Sequence, residues 1–470
     1  MTNRREFLKL ACGAAGFAAF EQGLDRFGLL AHAASGAPPN QYRALVCIFM
    51  FGGNDSNNMV IPVAAGGGSG YTAYANSRGG SLAIPQANIQ AFANALPTWG
   101  LSMGLHPAMP ELKALFDQGK LALVTNVGPL TQPTTKAQYQ SNAAFRPYQL
   151  FSHSDQQSAW MAPRSDVTTI PGWGGLTADV VAGLNTGTAF PASLSLAGNN
   201  QFNLGQATRP LNVAPAPTAL NAIFPLNGFA ANAIDNARRT AFNSLRTFDA
   251  GVPLVKATSD ITQQGLDIQA SLSQDPVVGA FPATGLGNQL KQVAKIIKQN
   301  QVSLNVSRQV FFCSIGGFDT HQDELASHTN LYGQISKAMS AFYTEMVAQN
   351  LAANVTTFTL SDFSRTMAPS GSGTSVGSDH AWGSHQLVMG GAVSQANIYG
   401  NVGLNLTPFP DLALGTAYDV DGRGRWIPST ATDQYASTLG LWLGATPAQL
   451  NGIFPNLYRF PTYDLGFLTP

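Results

Sequence analysis

The chain has 470 residues, balances 25 Lys/Arg against 25 Asp/Glu, and is only 11% charged. Neutrality without a basic run argues against nucleic acid, whose binding needs clustered Lys/Arg to displace counterions. Beyond the N-terminal segment no run of eighteen or more apolar residues occurs, so no stable membrane span is expected.

The first 33 residues read as an address. Asn-Arg-Arg-Glu-Phe-Leu-Lys (3–9) precedes a mild apolar run, Leu10 to Phe20, that glycines break and that is too short to stay in a bilayer. Arg4 and Arg5 before Phe-Leu-Lys resemble a twin-arginine export signal, and Ala31-His32-Ala33 offers a small-x-small cleavage site. The expected mature chain starts near Ala34 with 21 basic and 22 acidic residues. The signal predicts export by the twin-arginine machinery, to the periplasm or as a secreted protein. That route carries folded proteins, often with a metal already loaded.

Arg43 to Phe51, RALVCIFMF, is a continuous apolar run ended by Gly-Gly, the pattern of a parallel strand buried on both faces. It empties into Gly52–Asn58, which puts Asp55 just past the strand's C-terminal end, where α/β proteins place their chemistry. The plainer reading of Asn-Asp-Ser-Asn is turn chemistry. Cys47 here and Cys313 later sit in apolar strand-like runs and read as free, buried thiols. A helix is expected from Pro107, suited to a first turn, through Phe116, followed by a buried strand from Lys120 to Asn126. His106 at the helix entry fits a cap as well as catalysis.

Ser152, in Phe-Ser-His-Ser-Asp-Gln-Gln (151–157), is either an N-cap or a hydroxyl nucleophile aimed from a helix N-terminus, with Ser154 in reserve. A helix follows from Leu176 to Val181. Residues 183–229 read as irregular, with a strand near Ser193 to Leu196. Helices at Ala231–Leu245, Ser259–Ser273 and Leu286–Asn300 form a cap or side layer. Gln309 to Ser314 is a third buried strand, ending in a second acidic turn, Gly-Gly-Phe-Asp-Thr-His. Asp319 and His321 lie two apart in an extended segment, share a face and can converge on one ion. On the helix from Asp323 to Asn350, His328 shares the core stripe of Leu331 and Ile335, so packing is its reading.

Thr356 to Gly391 is the stretch around which the chain is organised: a strand (356–360), an acidic turn, a Gly/Ser-rich loop and a strand (386–389). It gathers Asp362, Arg365, Asp379, His380 and His385 in a chain otherwise poor in charge. Two imidazoles and two carboxylates there fit a metal site. Arg423-Gly424-Arg425-Trp426 is a candidate anion or lid contact, and helices at 434–443 and 447–453 close the chain.

RREFLK, FGGNDSNN, LHPAMPELKALFDQGKLALVTNVG, SHSDQQ, GGFDTHQDE and SDFSRT…SDHAWGSH, in this order, resemble the twin-arginine-exported family called domain of unknown function 1501. That family resembles the alkaline phosphatase and sulfatase superfamily. The resemblance implies a three-layer α/β/α sandwich with a mostly parallel sheet, one domain over 34–470 with a helical insertion around 231–300, and a metal centre at the sheet's C-terminal edge. It also implies a first metal on Asp319, His321 and His380. A second would lie on Asp55, Asp362 and Ser152, with Asp379 or His385 as a substitute ligand. Phe363 stands where the superfamily has a histidine, and the sulfatase signature for a formylglycine nucleophile is absent.

The expected function is that of a hydrolase using one or two divalent ions, zinc or manganese, on a small-molecule or glycan phosphate or related anionic ester. Ser152 would attack and Arg365 would balance the anion's charge. The alternatives are a non-catalytic exported binding or assembly protein, or a hydrolase of sulfated or phosphorylated glycans.

Overall fold

The computed structural model describes residues 41–470 except 65, 97, 142–145, 167–170, 223–231, 273, 372–374 and 403–406. The export signal, its cleavage point and the start of the helix expected from Ala231 lie outside the described residues.

Nine strands form the main sheet: β1 (Arg43–Phe51), β2 (Leu121–Gly128), β3 (Ser193–Ser195), β4 (Leu211–Asn212), β5 (Arg308–Gly316), β6 (Val355–Ser361), β7 (Ser384–Met389), β8 (Ile398–Tyr399) and β9 (Thr430–Ala431). Their order is β8-β2-β7-β6-β1-β5-β3-β4, with β9 also paired to β2. All pairings are parallel except those of β7, which runs antiparallel to both β2 and β6. The ten helices used below are α1 (Tyr71–Leu82), α2 (Pro110–Asp117), α3 (His153–Met161), α4 (Trp173–Val180), α5 (Ala233–Thr247), α6 (Pro253–Ser271), α7 (Gly285–Gln299), α8 (Glu324–Ala348), α9 (Thr432–Leu443) and α10 (Pro447–Ile453).

Alternation along β1 explains the layers. Ala44, Val46, Ile48 and Met50 join the core shared with α2, α7 and α8, while Leu45, Cys47 and Phe49 join that shared with α3, α4, α9 and α10. A strand apolar at every position therefore needs helices on both faces, and the result is a mostly parallel sheet between two helical layers. Ile48, not Cys47, is in register with Cys313, so the two thiols point to opposite faces and cannot be bridged.

α7 lies in the layer beside α8 and β5, whereas α5 and α6 pack on each other outside it, with Ile234, Leu245, Phe248 and Ile261 exposed. The helix expected from Pro107 begins instead at Pro110. Residues 106–109 are a turn in which Met109 N–H donates to the His106 carbonyl (2.9 Å) and Ala108 N–H to His106 Nδ1 (3.1 Å). Pro110 takes the first helical turn, where a missing N–H costs nothing.

The parallel strands β1, β5 and β6 all end at one edge, and β7, running the other way, starts there. Asp55, Asp319 and Asp362 thus leave the sheet at the same edge.

Candidate metal centre

Asp319 is placed by a close approach between two turns. Gly52 has φ +112°, and a Cβ on it would meet Asp319 N at 2.4 Å, so only glycine lets the turn after β1 lie against the turn after β5. Asp319 Oδ1 accepts from Arg365 at 2.8 Å and faces His321 Nε2 at 3.1 Å and His380 Nε2 at 3.3 Å. Its Oδ2 faces His153 Nε2 at 3.4 Å. Three imidazoles and one guanidinium surround a single carboxylate.

The second hydrogen bond of each ring fixes what it presents to Asp319. His380 Nδ1 lies 2.8 Å from the Phe151 carbonyl, which can only accept, so Nδ1 carries the proton and Nε2 offers a lone pair. His153 Nδ1 lies 2.7 Å from Asp362 Oδ2, which also accepts from Gln157 at 2.9 Å. His153 therefore donates through Nδ1, and its Nε2 is a buried atom without a hydrogen-bond partner. Two nitrogen lone pairs and a carboxylate converge, with one ligand atom of each residue within 4.8 Å of the others. Such acceptors repel unless a cation lies among them. An imidazole whose far nitrogen donates to a carboxylate or carbonyl is the usual support of a metal ligand. The nitrogen and oxygen donors suit zinc or a similar divalent ion.

Charge around the centre is balanced from within the protein. Burial alone would raise the Asp319 carboxyl, but the Arg365 hydrogen bond and charge, with His153 and His321, hold it below its ordinary range. Asp379 is held low in the same way: burial opposes, and Ser370, Arg423 and His321 prevail. Burial raises Asp362 despite Gln157 and His153, and burial lowers His380.

Of the residues singled out in the sequence, Asp319, His321 and His380 meet directly. Asp379 lies one step out, its Oδ1 3.4 Å from His321 Nδ1 and its Oδ2 taken by Arg423 and Ser370. Asp362 reaches the centre through His153. Arg365, expected to balance an anion's charge, has its guanidinium engaged within the protein. It is fully buried, and its guanidinium is occupied by Asp319, the Ser378 carbonyl and the Ser378 hydroxyl. Ser152 Oγ donates to Asp155 Oδ2 at 2.6 Å and makes no side-chain N-cap. His385 does not join the cluster. It sits fully buried at the irregular start of β7, its Nδ1 accepts from Asn126 N–H at 3.1 Å, and its ring stacks on Phe409. Burial pushes it down to about 3.

His153 and Gln157 are the residues that sequence reasoning passed over. The signal was present in Ser-His-Ser-Asp-Gln-Gln, where the hydroxyls drew the attention and the imidazole between them faces the site. Phe363 is also at the centre, its ring stacked on His380 (centroids 4.5 Å) and tilted against His153 (4.9 Å).

Asp55 belongs elsewhere. It pairs with Arg78 of α1, both fully buried, and lies within 4.8 Å of Glu324 and His328 as measured between ligand atoms. Arg78 also donates to the Thr366 carbonyl at 3.0 Å, Ser378 Oγ donates to Glu324, and His328 Nε2 meets Thr320 Oγ1 at 3.0 Å. Arg78 is the cation paired with Asp55. Burial first, then the Asp55 charge, pushes Glu324 up to about 8, so it keeps its proton at neutral pH. Burial pushes His328 down to about 4. Asp55 is thus already paired with a cation that the fold supplies.

Residues 42–404 match the model of a family described as "Protein of unknown function (DUF1501)". No curated protein matches the chain in sequence. Among solved structures, it aligns with the C-terminal periplasmic domain of EcEptC from Escherichia coli, solved in complex with Zn (11% identity, TM-score 0.33, 75% of this chain and 73% of that one). It also aligns with the PsFucS1 sulfatase from Pseudoalteromonas sp. (11%, 0.35, 95% and 76%). A third is alkaline phosphatase from the Antarctic bacterium TAB5 (8%, 0.25, 74% and 90%). At such identities and scores, nothing about this chain's chemistry follows from those proteins.

Proposed function

The chain belongs to the DUF1501 family, and from the geometry of the centre we propose that it is an exported, metal-dependent hydrolase of phosphate or related anionic esters. One observation carries this reading: one ligand atom each of His153, His380 and Asp319 lies within 4.8 Å of the others, while Nδ1 of each ring is taken up by an acceptor on its far side. His153, His380 and Asp319 would hold a divalent ion, which would supply Lewis-acid chemistry toward the ester and lower the pKa of water at neutral pH.

The chain's own groups do the rest. Asp362 and the Phe151 carbonyl hold the two rings in the ligating tautomer, and Arg365 keeps Asp319 ionised. His321 is about half exposed, and Asp379 faces its Nδ1, so it is placed to pass a proton to the leaving group. The Ser152 hydroxyl is engaged by Asp155, and water is the nucleophile in this reading.

Metal content of the purified chain, with turnover of nitrophenyl phosphate, phosphodiester and sulfate, tests the proposal. One bound ion and ester turnover that survives Ser152→Ala are expected. No metal and no turnover after adding Zn²⁺ and Mn²⁺ would sink it. For export, replacing Arg4 and Arg5 with Lys should trap the precursor in the cytoplasm, and export of that variant would refute the address.

A second reading, a non-catalytic exported binding protein, is favoured by Phe363, an apolar ring packed on both histidines. Metal uptake without turnover of any of the three esters would favour it.

A further inference from the structure

Phe151 holds a backbone conformation that L-residues rarely adopt, with φ +76°. The strain falls on the residue whose carbonyl accepts the His380 Nδ1 proton, two positions before His153. Something must hold it there. One side of the Phe151 ring packs against the small apolar cluster of Leu130, Trp382, Val420 and Ile427. Over the ring lies the Arg425 guanidinium, 5.0 Å from its centroid, in cation–π contact. Arg425 Nε also donates to the His380 carbonyl at 2.6 Å, and its NH1 pairs with Asp421. The loop carrying it is closed by buried Asp419, which accepts from the N–H of Gly415 (2.9 Å) and of Arg425 (3.2 Å). Arg425 thus grips the residue at each end of the Nδ1–H···O bond, from a part of the chain remote from both in sequence.

We propose that Arg425 is a positioning residue of the centre. By clamping the Phe151 ring and the His380 carbonyl it keeps the Phe151 carbonyl on His380 Nδ1, and so keeps Nε2 of His380 unprotonated and facing Asp319. Without the clamp, Phe151 relaxes toward negative φ, its carbonyl swings off Nδ1, and the proton is free to move to Nε2, which abolishes a ligand. The consequence for metal rests on the function proposed above; the clamp itself does not.

The test uses the metal-free full chain with ¹⁵N-labelled histidine, followed by a Zn²⁺ competition titration, on wild type, Arg425→Gln and Arg425→Lys. Wild type should show His380 protonated at Nδ1. Arg425→Gln should lose that single tautomer and weaken Zn²⁺ roughly 10–100-fold, the size typical of lost support for a ligand. Arg425→Lys, which keeps a charged donor, should restore part of both. An unchanged His380 tautomer in Arg425→Gln overturns the proposal. If wild type takes up no Zn²⁺, the function above fails and the His380 signal alone decides this one. Should Arg425→Gln not fold, Asp421→Asn, which only slackens the guanidinium, is read the same way.

Discussion

Two neighbouring strands end in nearly the same words. β1 runs into Gly52-Gly53-Asn54-Asp55 and β5 into Gly316-Gly317-Phe318-Asp319, each a glycine pair and a carboxylate past a parallel strand. Their carboxylates meet opposite ends. Asp55 is fully buried beside Arg78, and burial with the Asp55 charge pushes the nearby Glu324 carboxyl up. Asp319 remains 46% exposed and faces His153 and His380, whose Nδ1 atoms lie against Asp362 Oδ2 and the Phe151 carbonyl. Equal turn chemistry therefore gives a closed, buried ion pair at Asp55, and at Asp319 a half-exposed carboxylate that faces three imidazoles as well as Arg365.

The largest expected effect lies in the inner cluster. Arg78→Met should cost about 3–5 kcal/mol in a denaturant melt, as removing one partner of a buried pair strands the other charge. Adding Asp55→Asn should recover much of it. A loss under about 1 kcal/mol would mean that Asp55 is not held by Arg78.

The histidines should separate the two regions next. His380→Ala should weaken Zn²⁺ by at least roughly 10–100-fold with its melt unchanged, because the ring touches the centre rather than the core. His328→Ala should keep Zn²⁺ and lose about 1–2 kcal/mol, as ordinary buried truncations do. The reverse pattern would exchange their roles.

A pH series sharpens the contrast. The folded state binds the Glu324 proton more tightly than the unfolded chain, so this contribution is present at low pH and lost as pH rises through about 8. Above pH 7 the inner histidines His106 and His328, pushed down to about 4 by burial, no longer titrate. Stability should fall from about pH 7 to about 8 and level off above that in wild type, and stay flat across the same range in Glu324→Gln. A flat wild-type profile would place no proton on Glu324. The smallest effect is expected of Phe363→His, which puts a third imidazole against His153 and His380 and should tighten Zn²⁺ binding without changing the number of ions bound. Unchanged affinity with intact circular dichroism would mean that this position does not reach an ion.

Much of this was legible in the sequence because apolar runs report burial directly. Arg43–Phe51 is a strand from end to end, and the expected strands at 120–126, 309–314, 356–360 and 386–389 sit within two residues of the observed bounds. Asp319, His321 and His380 were legible too, because two acidic turns and a His/Asp loop stand out in a chain so poor in charge. What was not legible depends on which group lies across the gap. No local pattern says that Arg78 of α1 reaches Asp55, that Arg365 points inward to Asp319, or that His385 is consumed by the Asn126 N–H at an irregular strand start. His153 was hidden by its flanking serines, and only the fold brings α3 against β6 and so its ring to Asp362.

His153 therefore offers the most direct test. A Zn²⁺ titration of the metal-free full chain, alongside His153→Ala and His385→Ala, should show one ion bound by wild type and by His385→Ala. In His153→Ala the affinity should fall by at least roughly 10–100-fold, with all three proteins folded. Full zinc binding by His153→Ala, or its loss in His385→Ala, would contradict the centre described here.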